Sequence, residues 1–305
     1  HLEHALELAR RGEERQARAM EAEILDEMVT NRWSSGSHYS EALGFADQAL
    51  KVRREMDDTA GTAQTLLYIG QIQCARRRLE QAQSYFQEAE QLARSEGLTL
   101  VLARARNALG IAAYYQRDFD RANVYWSEVL ETSHEIGDRV LRTSVLNNLG
   151  EMALRRGSVQ QASEYLHRSV ELARTIGEHR VCADALRHLA EISLRESLLE
   201  QSVGYAEQAL EEARVSGVRS SIARSLRSLA VVLGRTLKTP GDAHAAGISL
   251  RERVVEVERS FQESMTLLES MGNDAEFRQT CDAYETFLRE IGREEDADQL
   301  SSRTV

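Results

Sequence analysis

Asn107 and Asn147 stand 40 positions apart, and four arginines follow the same step: Arg104 is in phase with Arg224, and Arg187 and Arg227 continue the phase of the asparagines. A side-chain amide carries a donor and an acceptor together and so matches a peptide bond. A guanidinium suits carboxylates and phosphates. This is the chemistry of recognition. The chemistry of turnover has no comparable signal. The sequence holds no glycine-rich phosphate loop, no zinc-ligand cluster and no nucleophile elbow. Ser34-Ser35-Gly36-Ser37-His38 is reactive in composition only. Its place is the turn between two helices, where it reads as loop and helix cap. No catalytic residue, metal ligand or cofactor is therefore expected.

The 40-residue step pervades the chain. Gly70, Gly110 and Gly150 keep it, as do Ala82, Ala122 and Ala162, and then Phe86, Trp126 and Leu166. A second glycine series runs Gly97, Gly137, Gly177, Gly217. Ala190 and Ala230 extend the first glycine column, while Ser202, Ala206 and Ala209 extend the alanine set. A fixed period of this length is the signature of stacked repeats.

Each repeat reads as two helices. Val145, Leu146, Leu149, Met152 and Ala153 recur at helical spacing up to Arg155-Arg156-Gly157, a basic last turn followed by glycine. Ala162, Tyr165, Leu166, Val170 and Ala173 repeat the pattern up to Ile176-Gly177. Such a hairpin cannot bury its apolar stripes alone, and the next copy supplies the missing surface. Glycine inside a helix costs about 1 kcal/mol relative to alanine. The repeated glycines therefore predict a close helix crossing, with the alanines as opposing small positions and the large residue four later filling the next gap.

These residues resemble a tetratricopeptide repeat array of the 40-residue type. The family's small positions match Gly70/Ala82/Ala89, Gly110/Ala122, Gly150/Ala162 and Ala190/Ala206/Ala209, with a glycine turn in place of the family proline. Leu146-Asn147-Asn148-Leu149-Gly150 is similar to repeats of kinesin light chains, Leu-Gly-Asn scaffold proteins and bacterial signalling proteins. The resemblance implies an all-α, right-handed superhelical solenoid of antiparallel helix pairs. It also implies a concave groove lined by the first helices. That places Arg104, Asn107, Tyr114, Asn147, Asn148, Glu151, Arg187, Glu191, Arg224 and Arg227 as groove residues, with asparagines of the Asn107/Asn147 row bonding a bound peptide backbone. The implied function is a non-enzymatic scaffold or sensor that binds a protein or peptide. The alternatives are the C-terminal regulatory region of a bacterial Ser/Thr kinase or regulatory ATPase, and a self-associating assembly module. The dicarboxylate-clamp pattern needs groove lysines. This chain has only Lys51 and Lys238, neither in the groove rows.

Charge bears on the partner. The five first-helix stretches 62–77, 101–117, 141–157, 181–196 and 221–236 hold 13 Arg and 4 Asp or Glu, a net of +9, so the rest of the −11 chain stands at −20. An arginine-rich groove in an acidic shell favours a partner with carboxylates or phosphates. The competing reading pairs those arginines with acids of neighbouring helices. Overall acidity and near absence of lysine argue against nucleic acid. No run approaches the roughly 20 apolar residues of a membrane helix. Cys74, Cys182 and Cys281 are distant and odd in number, so a reducing, cytoplasmic setting is expected, with Cys281 in the core. Arginine in place of lysine suggests a high-GC bacterial genome.

The 305 residues are expected to form one solenoid of about six to seven helix pairs, residues 1–305. Leu2, Leu6 and Ala9 stand 40 before Ala42, Ala46 and Ala49, so the chain reads as starting inside a repeat, as a fragment or with a natural cap. The register slips once, resuming at Val257, Phe261 and Ser264. This marks an insertion near 235–249 with the only proline, Pro240, which is either a tolerated surface loop or a partner-contacting flap. Asn273–Ile291 reads as a further first helix, and 293–302 as a polar capping helix.

Overall fold

The computed structural model describes residues 1–10, 15–34, 38–237 and 250–302. Among them are fifteen helices and no strand. They form two compact units, His1–Asn148 and Leu149–Val305, with the division falling inside one helix. The first unit holds α1 (Leu2–Arg10), α2 (Arg15–Ser34), α3 (Tyr39–Glu55), α4 (Thr59–Ala75), α5 (Leu79–Ser95), α6 (Thr99–Tyr115), α7 (Phe119–Glu135) and the start of α8 (Arg139–Arg155). The second holds the end of α8 and then α9 (Val159–Ile176), α10 (His179–Arg195), α11 (Leu199–Ser216), α12 (Arg219–Thr236), α13 (Leu250–Ser270), α14 (Asp274–Glu290) and α15 (Glu294–Ser301). Within the units, sequential helices pack as antiparallel pairs, and first helices lie beside the next first helix: α4 by α6, α10 by α12, α12 by α14.

The pairing is set at the turns. From residue 57 to residue 217 a left-handed backbone recurs every 20 positions, at Asp57, Arg77, Gly97, Arg117, Gly137, Gly157, Gly177, Ser197 and Gly217. After seven of these nine the next amide reaches back into the last helical turn, as Arg78 N–H does to Gln73 O at 2.9 Å and Leu198 N–H to Ser193 O at 2.8 Å, whereas Val218 N–H donates to Ser216 Oγ at 3.2 Å. This pattern satisfies the orphan carbonyls of a helix end. The sequence signals the turn only where glycine holds it. Arg77, Arg117 and Ser197 adopt the same geometry at a steric cost of about 1–2 kcal/mol. Arg117→Gly is therefore expected to stabilise the protein by about 0.5–1 kcal/mol, the relief of strain exceeding the added unfolded-state entropy. An unchanged or lowered urea midpoint would count against this account of the turns.

The glycine column packs more tightly than a mere helix crossing. A methyl group at Gly70 would lie 2.3 Å from the Phe86 ring, at Gly110 2.4 Å from Trp126, and at Gly150 2.6 Å from Leu166. The large residue four after the alanine thus sits directly over the glycine of its own hairpin rather than filling the next gap. The alanines, Ala82, Ala122 and Ala162, are fully buried. Ser202 continues their column and turns its hydroxyl to Ala190 O at 2.8 Å. After the register slip, Ser264 does the same to Ala223 O at 2.8 Å.

The ends follow the expected phase. Leu6 of α1 is buried in a cluster with Leu25, Met28 and Ala49, and Ala9 of α1 is buried as well. Val257, Phe261 and Ser264 of α13 are buried, Asn273 caps α14 through its side chain, and α15 forms the short last helix. Arg235 and Thr236 belong to α12, with Leu237 as its C-cap, so the insertion starts later than the sequence suggests; residues 238–249, with Pro240-Gly241, lie outside the described residues. Ser34 ends α2, and His38 stands at the N-cap of α3 without a side-chain cap bond; residues 35–37 lie outside the described ones.

Candidate functional site

The predicted groove residues fall on successive first helices, and each unit carries its own set. In the first, α6 presents Arg104, Asn107 and Tyr114, and α8 presents Asn147 and Asn148. Asn148 Nδ2 donates to Asn107 Oδ1 at 3.3 Å, and the Trp126 indole N–H donates to Asn107 O at 3.3 Å. The amide row is thus tied to the ring that covers Gly110. Asn147 is buried, and its Oδ1 has no hydrogen-bond partner. Arg104 Nη2 lies 4.0 Å from Asp138 Oδ2. Tyr114 is half-buried among Tyr115, Phe119 and Trp126, with ring centres 5.7, 5.7 and 5.9 Å away. The Arg77 guanidinium lies over Tyr115 at 5.1 Å.

In the second unit the charges converge. Asp184 of α10 is buried and faces Arg224 Nη2 at 3.3 Å, Arg187 Nη2 at 3.6 Å and Arg180 Nη1 at 3.7 Å. Burial pushes its carboxyl pKa up. The three guanidiniums outweigh that and hold it below the usual value. Arg227 of α12 donates from Nη1 to Glu276 Oε2 of α14 at 2.7 Å and to Thr280 Oγ1 at 3.4 Å. Burial and the nearby Arg187 and Arg224 charges lower its pKa, against the pull of Glu276. His188 is 4 % exposed. Its Nε2 lies 3.7 Å from Glu151 Oε2 and 3.5 Å from Arg187 Nη2, and its Nδ1 has no partner. Burial, with help from Arg187, pushes its pKa down to about 4. Glu191 pairs along its helix with Arg195 at 2.6 Å.

Of the two readings of the arginines, the paired one describes Arg187, Arg224 and Arg227. They are built into an ionic network rather than standing as isolated charges. Asp184 stands 80 positions after Arg104 and 40 before Arg224, in the same row, but the 40-residue count does not reveal it as the shared counter-ion, nor His188 as a buried neutral base. Glu276 and Thr280 lie beyond the register slip, where the 40-residue count no longer aligns them with Arg227.

Among the described residues, no group of three or more His, Cys, Asp or Glu is arranged to hold a metal ion. No helix is long and apolar enough to cross a membrane. None of the three cysteines is in a disulfide, and Cys281 is buried in the core. Burial pushes the thiols of Cys74 and Cys182 up to about 11 and about 12, away from the thiolate a nucleophile needs.

No family model matches the chain, and no curated protein matches it in sequence. Solved structures do match in fold. A Rap protein complexed with competence and sporulation factor has a TM-score of 0.73 at 12% identity, covering 98% of this chain and 77% of that one. The Rap conjugation gene regulator of plasmid pLS20, in complex with the Phr* peptide, has a TM-score of 0.70 at 14% identity, covering 93% and 72%. A signal transduction ATPase with numerous domains and a tetratricopeptide repeat sensor, from Pyrococcus horikoshii, has a TM-score of 0.61 at 14% identity, covering 95% of this chain and 42% of that one. The chain has the all-α fold of tetratricopeptide-type helical repeat proteins.

Proposed function

We propose that this chain is a non-enzymatic binding and sensing module whose first-helix faces take up a peptide or a segment of another protein. One observation carries the reading. Asn147 keeps a buried amide oxygen without a hydrogen bond in a fold where such groups are nearly always satisfied. An amide that spends no acceptor on the fold can offer it to a peptide backbone once the side chain turns out of its buried position. Two neighbours in fold, solved in complex with competence and sporulation factor and with the Phr* peptide, support it. The paired arginines leave room for an acidic partner, since a ligand carboxylate can share guanidiniums already oriented by Asp184.

The test is affinity for short peptides selected on the chain, compared with Asn147→Ala and Arg187→Ala. Loss of a hydrogen bond at the centre of an interface weakens binding about tenfold. A selected ligand whose affinity neither substitution changes would refute the groove assignment.

A second reading makes the same face the sensor of a larger signalling protein, a regulatory ATPase or a Ser/Thr kinase. The likeness to the sensor-bearing ATPase favours it. The reading frame that encodes His1 decides: an upstream nucleotide-binding or kinase domain supports the idea, and a start codon directly before His1 removes it.

A further inference from the structure

Two turns of the first unit carry arginines whose charges the fold leaves unanswered. Arg76, Arg77 and Arg78 stand between α4 and α5, and Arg117 stands between α6 and α7, one repeat further on. Arg77, Arg78 and Arg117 are exposed and Arg76 is half-buried. Among the described residues no carboxylate forms an ion pair with any of the four. Elsewhere in the unit Arg10, Arg18, Arg53, Arg54 and Arg106 are each paired with one. Of the acids nearest in sequence, Asp118 is taken up by the N-cap of α7, where it accepts from Arg121 N–H at 3.1 Å, and Asp120 has an interaction of its own. Arg121 completes the edge, but Asp118 and Glu90 answer its charge in part.

Arg77 and Arg117 are also held under strain. Their backbones are left-handed, φ 61° and 64°, where five other turns of the same series place glycine. No ion pair of either side chain offsets that strain, and strain without a structural return points to a side chain kept for another purpose. The Arg77 guanidinium lies over the ring of Tyr115, which is 47 % exposed, at 5.1 Å. Stacking orients a guanidinium and leaves its in-plane N–H groups for a planar acceptor such as a carboxylate. Gln116 Nε2 donates to Gln83 Oε1 at 3.1 Å, which ties the second turn to α5. Helices packed side by side lie about 8–10 Å apart, a distance that about three residues of extended chain cover.

The size of the patch decides among anions. Beyond their first turns α5 and α7 become acidic: residues 82–96 and 122–136 hold six Asp or Glu and one Arg, a net of −5. A nucleic-acid strand running on past the turns would meet that charge, whereas a segment of a few residues would not. We propose that this edge of the first unit docks a short acidic segment of a partner protein, whose carboxylates take Arg77, Arg78 and Arg117. The surface is separate from the first-helix faces and does not depend on what they bind.

A fluorescein-labelled hexaglutamate peptide is titrated against the full chain by anisotropy at low ionic strength, where exposed charges are least screened. Arg77→Gly/Arg117→Gly is expected to weaken binding about tenfold. Glycine suits both turns, so the urea midpoint of this variant should not fall, and lost binding is then not lost folding. Arg78→Gln, which leaves both left-handed positions untouched, is expected to weaken binding about threefold. Arg139→Gln/Arg168→Gln removes two exposed arginines that also lack an ion pair but lie elsewhere, and should change affinity less than about twofold. Asn147→Ala should change it as little. An equal loss in Arg139→Gln/Arg168→Gln would mean diffuse attraction and would overturn the proposal. A loss confined to Asn147→Ala would place the peptide on the first-helix face and overturn it too. A six-residue oligothymidylate that binds more tightly than hexaglutamate and responds to the same turn variants assigns the edge to nucleic-acid phosphate instead. If hexaglutamate does not bind at all, this edge is no acidic docking site, and the first-helix reading keeps its own test.

Discussion

Replacing Gly110 by leucine is expected to cost about 3 kcal/mol or more, whereas Gly137→Ala costs about 1–2 kcal/mol. At Gly110 a single methyl group would already stand 2.4 Å from Trp126 Nε1, 2.7 Å from Cδ1 and 2.8 Å from Cε2. The indole cannot swing aside, because it is 2 % exposed and packed in the core. A leucine therefore pushes α6 and α7 apart, opens the core around Trp126, and breaks the indole's bond to Asn107 O. At Gly137 nothing lies within 4 Å of the added methyl, and only the left-handed backbone, φ +71°, resists it. The two substitutions thus separate packing from backbone strain.

The same variant tests how the chain coheres. In a repeat array each hairpin contacts only its neighbours, so local damage stays local. Hydrogen exchange on Gly110→Leu is expected to show lost protection in α5 to α8 and native protection around Phe277 in α14. Uniform loss from α2 to α14 would show a single cooperative globule and would contradict the array.

Much of this was legible in the sequence because the repeat writes each structural need several times. Gly70, Gly110 and Gly150 announce one crowded position, and the Gly97 series announces one turn. Other features escaped for physical reasons. Arg77, Arg117 and Ser197 hold three of the turns in a conformation that nothing in their chemistry advertises. The identity of the side chain over each glycine depends on helix phase across the hairpin, which spacing constrains but does not state. Pairing in the arginine rows depends on three-dimensional proximity too. Asp184 and Arg187 are three apart on one face, but the contribution of Arg224 needs α12 beside α10. Glu276 was hidden behind the register slip. The candidate site was thus readable as a set of rows and not as a network.

The network also predicts how the protein responds to acid. His188 is enclosed by Arg187, Asp184 and Glu191 of its own helix and by Glu151 of α8. Burial disfavours its charged form, Arg187 adds to that, and the carboxylates of Glu151, Asp184 and Glu191 oppose it without prevailing, so the pKa falls from 6.5 to about 4. Above pH 6.5 the imidazole is neutral in both folded and unfolded chains, and stability is unaffected. Between 6.5 and 4 the unfolded chain takes up a proton that the folded one refuses, so stability falls as pH falls. Below 4 both states are protonated and the loss levels off. A displacement of that size corresponds to about 3 kcal/mol. Asp184, held below its usual value, adds a loss only at still lower pH. Asp26 in the first unit acts in the opposite sense, because burial raises its pKa and folding then favours its protonated form as pH drops. The difference between wild type and His188→Gln isolates the histidine from both. Urea titrations from pH 7 to pH 4 are expected to show the wild type losing about 3 kcal/mol more than the variant, with the divergence starting near pH 6.5. Parallel stability curves, or an imidazole that titrates near 6.5 by NMR in the folded protein, would show that His188 is not the buried neutral base its surroundings make it.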